Sequence, residues 1–161
     1  MNSEHASLTA SLQLQVPRWA ELRTASRAVR QLAYAPYSSY QVGAAVLCAD
    51  GRVFTGCNVE NASYGLTICA ERVAVCTAVA QGARKFRAIC LSLTGMAVPC
   101  GTCRQFLHEF NADMLVLLHD MSITDDRPPE LVTLPELLPR AFRLTRSAEV
   151  ETRRDPDYLR K

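Results

Sequence analysis

The chain lacks most of the short signatures that announce a chemistry. There is no Gly-x-Gly-x-x-Gly and no P-loop pattern, so neither a dinucleotide fingerprint nor a phosphate-cradling loop organises it. No Gly-x-Ser-x-Gly elbow is present, which removes the usual serine-hydrolase signal. No apolar stretch approaches the ~20 residues that cross a bilayer. The first 17 residues lack a basic start followed by an apolar run, so no secretory signal is expected. The three histidines, His5, His108 and His119, form no pair at metal-ligand spacing. Charge of one sign is also scarce: Lys plus Arg number 18 and Asp plus Glu 16, a net +2. That balance gives no basis for nucleic acid as a partner. The only dense charge lies in the last residues, where Arg153, Arg154, Arg160 and Lys161 are interspersed with Glu149, Glu151, Asp155 and Asp157, as in a solvated tail.

What is present is the composition of a globular protein. The chain has 161 residues, 48% apolar and 21% charged, enough for one domain with its own core. Seven cysteines are an odd number without a secretory signal, so free or metal-bound thiols in a reducing cytoplasm are expected rather than a disulfide framework. We expect a flexible leader over residues 1–17, a folded domain over 18–145 and a polar tail over 146–161.

Periodicity supplies a coarse order. Apolar residues at helical spacing (Leu22, Ala25, Val29, Leu32, Ala33) predict a helix over 19–34, ended by Ala35-Pro36. Residues 42–49 and 52–57 read as two strands joined by the Asp50-Gly51 turn, a strong hairpin signal. Residues 58–68 read as a loop. Residues 69–81 read as a helix apolar on every side, hence buried, stopped by Gly82. Residues 86–93 form a near-continuous apolar strand, expected to be covered on both faces. A third helix over 101–110, a strand over 114–119, a polar loop over 120–130 and a short helix over 135–138 complete the order. This is an α/β class chain, a mixed sheet sandwiched between helices.

The strongest chemical signal is split between two helix starts. Cys69-Ala70-Glu71 opens one, and Pro99-Cys100-Gly101-Thr102-Cys103 opens the next. Three thiolates can hold one Zn²⁺ and leave a fourth position free, the arrangement of a catalytic zinc. Helix N-termini favour thiolates, and cysteines three apart share a face. Glu71 would then move protons beside the metal. Arg72 and Arg104 are candidates to donate to the sulfurs. One geometric condition applies. Residues two apart on a regular helix point about 200° apart, so Cys69 and Glu71 share a site only if Cys69 caps the helix in non-helical geometry. Spacing alone leaves three readings open: catalytic zinc, structural zinc closed by a fourth ligand such as His119, and core thiols. Cys48, Cys57, Cys76 and Cys90 sit in apolar runs and read as core.

Two further segments carry polar or aromatic groups. Asn58 and Glu60 alternate onto one side and suit a sugar hydroxyl pair, or else simply form a polar turn. Tyr40, after Pro36-Tyr37-Ser38-Ser39, can stack on an aromatic ring or cap the core.

These segments together resemble the cytidine deaminases, of the small homotetrameric zinc-dependent type with three cysteine ligands. The resemblance rests on Tyr34-Ala35-Pro36-Tyr37-Ser38, Val42-Gly43-Ala44-Ala45, the run Gly56 to Tyr64, Cys69-Ala70-Glu71-Arg72, Pro99 to Gln105 and Leu137 to Phe142, and covers roughly residues 19–145. It implies a three-layer α/β/α fold with a mixed central sheet of about five strands. It implies zinc on Cys69, Cys100 and Cys103, with Glu71 as proton shuttle and Arg72 hydrogen-bonded to the thiolates. Asn58 and Glu60 would hold the ribose of a nucleoside substrate, mainly at its 3′-hydroxyl. Tyr40 would face the pyrimidine where the family usually has Phe. Phe142 would enter a neighbour's site in a homotetramer with shared active sites. The implied reaction is hydrolytic deamination of cytidine and 2′-deoxycytidine. A related nucleoside such as blasticidin S, or a non-catalytic zinc-stabilised binding module, are the alternatives. The departures are Val98 for the family's Ser, Thr102 for Ala, and Tyr40 for Phe.

Overall fold

The computed structural model describes residues 18–95, 97–123 and 129–144; the expected leader over 1–17 and tail over 146–161 lie outside them. Five strands form one sheet: β1 (Gly43–Cys48), β2 (Val53–Cys57), β3 (Phe86–Leu93), β4 (Leu115–Asp120) and β5 (Glu130–Thr133). Their order is β2-β1-β3-β4-β5, with β3 and β4 parallel and the other neighbours antiparallel. Helix α1 (Trp19–Arg30) packs on one face; α2 (Ala70–Ala80) and α3 (Gly101–Phe110) cover the other, with the short α4 (Leu134–Leu137) beside them. The fold is the expected three-layer α/β/α arrangement.

The alternation of the strands splits the core in two. Ala44, Val46, Ile89, Leu91, Val116 and Leu118 point to the α2/α3 side. Ala45, Leu47, Ala88, Cys90 and Leu117 meet Leu22 of α1 on the other. β3 is buried at every position except Arg87, as a central strand covered twice must be. Two glycines let the helices approach the sheet. A Cβ on Gly43 would lie 2.0 Å from the Ser26 carbonyl oxygen of α1, and one on Gly56 would lie 2.3 Å from the Ala74 nitrogen of α2. Close packing at Gly56 sets α2 directly on the hairpin and so fixes where its first turn falls.

Four expectations change. Helix α1 ends at Arg30, short of the expected 34, because Tyr34 leaves the helix to bridge Val59: its N–H donates to the Asn58 carbonyl at 3.0 Å, and its carbonyl accepts from Glu60 N–H at 2.8 Å. Leu32, expected on the helix's apolar face, is therefore outside it and exposed. Strand β5 falls in a stretch read without regular structure, since four residues on a sheet edge carry too little periodicity to be recognised. Helix α2 is not buried all round: Cys76, Thr77 and Ala80 face out of the chain. Cys76 is consequently exposed rather than core, and Cys57 is half-buried, while Cys48 and Cys90 are buried as expected. Burial pushes the Cys90 thiol up to about 12, the behaviour of an inert packed sulfur.

Candidate metal centre

Cys69 occupies the N-cap of α2 with extended backbone (φ −70°, ψ 152°), and Cys100 occupies the N-cap of α3 in the same way (φ −64°, ψ 163°). This meets the geometric condition on Cys69. Because the cap residue lies off the helical path, its side chain need not follow the 100° step, and it can face the same space as Glu71. Pro99 precedes the second cap, and Cys103 falls in the first turn of α3, fully buried.

The three sulfurs converge. Their Sγ atoms all lie within 4.8 Å of one another, and Cys69 and Cys100 are 4.0 Å apart. Zinc–sulfur bonds of about 2.3 Å in tetrahedral geometry set sulfurs about 3.8 Å apart, so little movement is needed to close on one ion. Among the described residues no histidine, carboxylate or further thiol joins the three as a fourth ligand. His119 is engaged elsewhere, its Nδ1 at 2.9 Å from Ser92 Oγ. His108 lines a separate cavity with Asp113, Pro135 and Arg140.

The electrostatics suit a cation. Hydrogen bonding from the Cys103 thiol, helped by Arg72 and Cys100 and opposed by burial, pulls Cys69 down to about 5. The same hydrogen bond, burial and the charge of Glu71 push Cys103 well above the ordinary thiol range. A sulfur held in its thiolate form is the donor a divalent ion needs. Arg72 Nη2 donates to the Thr67 carbonyl at 3.0 Å and approaches Cys69 Sγ at 3.9 Å. It holds a positive charge against the sulfur, with its Nε–H buried and unpartnered among the described residues. Three convergent cysteine sulfurs, the Arg72 cation, two helix N-termini and no fourth side-chain ligand among the described residues form a donor set that fits zinc.

Glu71 lies in the first turn of α2 and is 5% exposed. Burial, and the negative charge of Cys69, raise its carboxyl above the ordinary range, while hydrogen bonding with Cys103 and the charge of Arg72 act in the opposite sense. A carboxyl in that state exchanges protons more readily near neutrality than an exposed one.

The remaining candidates are distributed around this centre. Asn58 is buried, and its amide spans one strand of backbone: Oδ1 accepts from Val42 N–H at 2.8 Å and Nδ2 donates to the Tyr40 carbonyl at 2.9 Å. Glu60 Oε2 accepts from Tyr37 N–H at 2.8 Å and Ser38 N–H at 3.2 Å, and Oε1 accepts from the Ser38 hydroxyl. These bonds hold its carboxyl below the usual range, the Ser38 hydroxyl most of all. Tyr40 sends its hydroxyl to the Thr94 carbonyl. Phe142 is 70% exposed, with its backbone bonded to the Gln105 side chain of α3.

Arg104 does not reach the sulfurs. Its Nε donates to the Pro99 carbonyl at 2.6 Å and its Nη1 to the Leu137 carbonyl at 2.9 Å. One helical step from Cys103 turns it about 100° away from the cluster. It joins the start of α3 to the segment that leads to Phe142, a role with no local sequence signal because its two partners are far apart in the chain.

A family model described as the cytidine and deoxycytidylate deaminase zinc-binding region matches residues 19–119. The chain is similar to a cytidine deaminase of Sporosarcina psychrophila, 43% identical over 120 residues, which cover 73% of this chain and 85% of that protein. A cytidine deaminase of Mycobacterium tuberculosis is 44% identical over 128 residues, 78% of this chain and 90% of its own. Among solved structures, a cytidine deaminase from Burkholderia pseudomallei superposes with a TM-score of 0.70 at 44% identity, covering 76% of this chain and 98% of that one. The matched residues contain all three cysteines of the cluster, and the chain belongs to the cytidine and deoxycytidylate deaminase family.

Proposed function

We propose that this protein hydrolyses the 4-amino group of cytidine, and of 2′-deoxycytidine, giving uridine or deoxyuridine and ammonia. The observation that carries the reading is the three-sulfur cluster with a buried carboxyl, Glu71, in the first turn of the helix that Cys69 caps. Zinc held by Cys69, Cys100 and Cys103 would supply Lewis-acid activation of water at neutral pH. Glu71 takes a proton from the attacking water as its oxygen adds to C4 and passes it to N3 of the base. It then carries the second proton to the amino group as the C4–N bond breaks. One carboxylate acts as base and then as acid, so burial that raises its pKa suits both halves of the task.

The outer residues complete the pocket in this reading. Tyr40 faces the pyrimidine. Asn58 and Glu60 hold the ribose at its 3′-hydroxyl; three acceptor directions of the Glu60 carboxylate are engaged by Tyr37 and Ser38, leaving one on Oε1. Arg72 steadies the Cys69 thiolate. The catalytic unit spans residues 18–145.

The working form is a homotetramer with shared sites. Its support is the outward apolar surface: Cys76 and Ala80 on α2, with Val59, Tyr64, Leu66 and Ile68 exposed in the segment before it. All seven cysteines are free thiols, which suits a reducing cytoplasm and a place in pyrimidine salvage. Among the described residues no helix is long and apolar enough to cross a membrane.

An ultraviolet absorbance assay with cytidine, 2′-deoxycytidine, cytosine and blasticidin S tests the reading. Turnover of the two nucleosides is expected. Turnover of blasticidin S alone would reassign the substrate, and no turnover by the zinc-loaded protein would leave the cluster a structural one.

A further inference from the structure

Tyr40 stands where the family usually has Phe, and its hydroxyl has a definite partner. The phenol reaches from the segment before β1 to the first residue beyond β3 and donates to the Thr94 carbonyl at 2.9 Å. From Thr94 the chain runs on to Val98, Pro99 and the metal-site residue Cys100.

Two other contacts converge on the same corner. Arg30 Nη2 donates to Thr94 Oγ1 at 3.0 Å while its Nε donates to the Gln41 carbonyl at 2.9 Å, so one guanidinium spans both segments. Gly95 N–H donates to Asp120 Oδ1 at 3.0 Å. The Tyr40 backbone is itself held, its N–H by Ser38 Oγ at 3.0 Å and its carbonyl by Asn58 Nδ2 at 2.9 Å. Ser38 in turn is bonded to Glu60. A continuous path therefore leads from Glu60 through Ser38 and Tyr40 to Thr94.

We propose that the Tyr40 hydroxyl is a positioning group that ties the Thr94–Gly95 corner to residues 37–41 and holds the Tyr40 ring in one orientation before substrate binds. Tyr40 is 38% exposed, so packing alone leaves its ring freedom that the phenol bond removes. A Phe ring would have no such tether. Burial raises the phenol pKa, which keeps it a donor throughout the neutral range. Ordering before binding lowers the cost of binding, so the tether acts on substrate affinity more than on the chemical step. The kinetic consequence rests on the cytidine reading; the tether does not.

Tyr40→Phe tests it by two measurements on the zinc-loaded protein. Amide exchange at Gly95 is expected to speed up several-fold while exchange in β1 and β3 stays unchanged. KM for cytidine is expected to rise about three- to tenfold, the worth of one neutral hydrogen bond, with kcat within about twofold. Unchanged exchange at Gly95 would overturn the tether. Faster exchange with unchanged KM would overturn the positioning role, as would a fall confined to kcat. A wild-type protein inactive on cytidine would count against the substrate reading alone, because the exchange rates still decide the tether.

Discussion

The side-chain amide of Gln105 brackets the backbone of Phe142. Its Nε2 donates to the Phe142 carbonyl at 2.9 Å, and its Oε1 accepts from Phe142 N–H at 3.1 Å. The pair mimics a two-bond strand contact and fixes the last described turn of chain against α3. With the backbone held, the exposed Phe142 side chain is displayed outward as an apolar knob. Arg104, one residue earlier, anchors Leu137 in the same segment.

Such a knob suits a neighbouring subunit's site. Phe142→Ala is expected to lose much of its activity on cytidine, and Cys100→Ala nearly all. Co-expressing the two chains with different tags and isolating mixed oligomers should give activity above the average of the two parents, since some sites then combine an intact centre with an intact Phe142. Activity equal to that average would place Phe142 in its own chain's site, and a fully active monomer would contradict the shared-site tetramer.

The roles of Cys100 and Glu71 separate by metal content. Glu71→Gln keeps the shape of a buried side chain and is expected to retain one zinc per chain, with turnover lowered at least ~10²–10⁴-fold, the usual worth of general acid–base help. Cys100→Ala is expected to lose most of the zinc. Elemental analysis beside the kinetic assay checks both. A Glu71→Gln enzyme within tenfold of wild type, or full zinc in Cys100→Ala, would remove the assigned role.

A second polar group lies on the opposite side of the sheet. Ser92 and His119 face each other across β3 and β4, with Ser92 Oγ 2.9 Å from His119 Nδ1 and 2.8 Å from Ser26 Oγ of α1. Burial first, then the charges of Arg23 and Arg27, lower the His119 pKa from 6.5, against a smaller opposing pull from Asp120. The unfolded chain therefore binds the proton more readily, and stability is lost as pH falls through about 6.5 toward the folded value. Thermal melts of zinc-saturated protein at about pH 7.5 and about pH 5.5 should show a smaller drop for His119→Asn than for wild type. Parallel drops would show that His119 is not the group responsible.

The site was more legible in the sequence than the surface that surrounds it. Cys69, Cys100 and Cys103 stand out because ligand spacing and helix starts are local patterns, and the Cys69 cap is where those patterns require non-helical backbone. The Asp50-Gly51 hairpin is local too. Strand β5 was hidden because its register depends on β4 rather than on its own four residues. Cys76 departs from its expected core position for a physical reason. Apolar residues on every side of α2 predict burial in one core, whereas its outer face, with Cys76, Thr77 and Ala80, is exposed among the described residues. The tethers of Arg104, Gln105 and Tyr40 each join residues more than 30 positions apart or end on a backbone carbonyl, and neither leaves a sequence trace.

Glu60 distinguishes sugar contact from loop support. Its carboxylate already accepts from Tyr37 N–H, Ser38 N–H and the Ser38 hydroxyl, so removing it must loosen residues 37–38 whatever the substrate does. If it also accepts from the ribose 3′-hydroxyl, a charged hydrogen bond worth ~1.5–3 kcal/mol is lost besides, about 10- to 150-fold in kcat/KM. Ser38→Ala removes two loop contacts, the hydroxyl's bond to Glu60 and the one it accepts from Tyr40 N–H, but leaves the carboxylate in place, so it should cost less than Glu60→Ala on cytidine. With 3′-deoxycytidine the wild-type enzyme should already be poor, and Glu60→Ala should lose little more, because the contact it would remove is absent from that substrate. Steady-state kinetics of the three proteins on the two substrates decide the matter. If the losses from Glu60→Ala and from the missing hydroxyl simply multiply, the carboxylate acts on the loop that carries Tyr40 and not on the sugar.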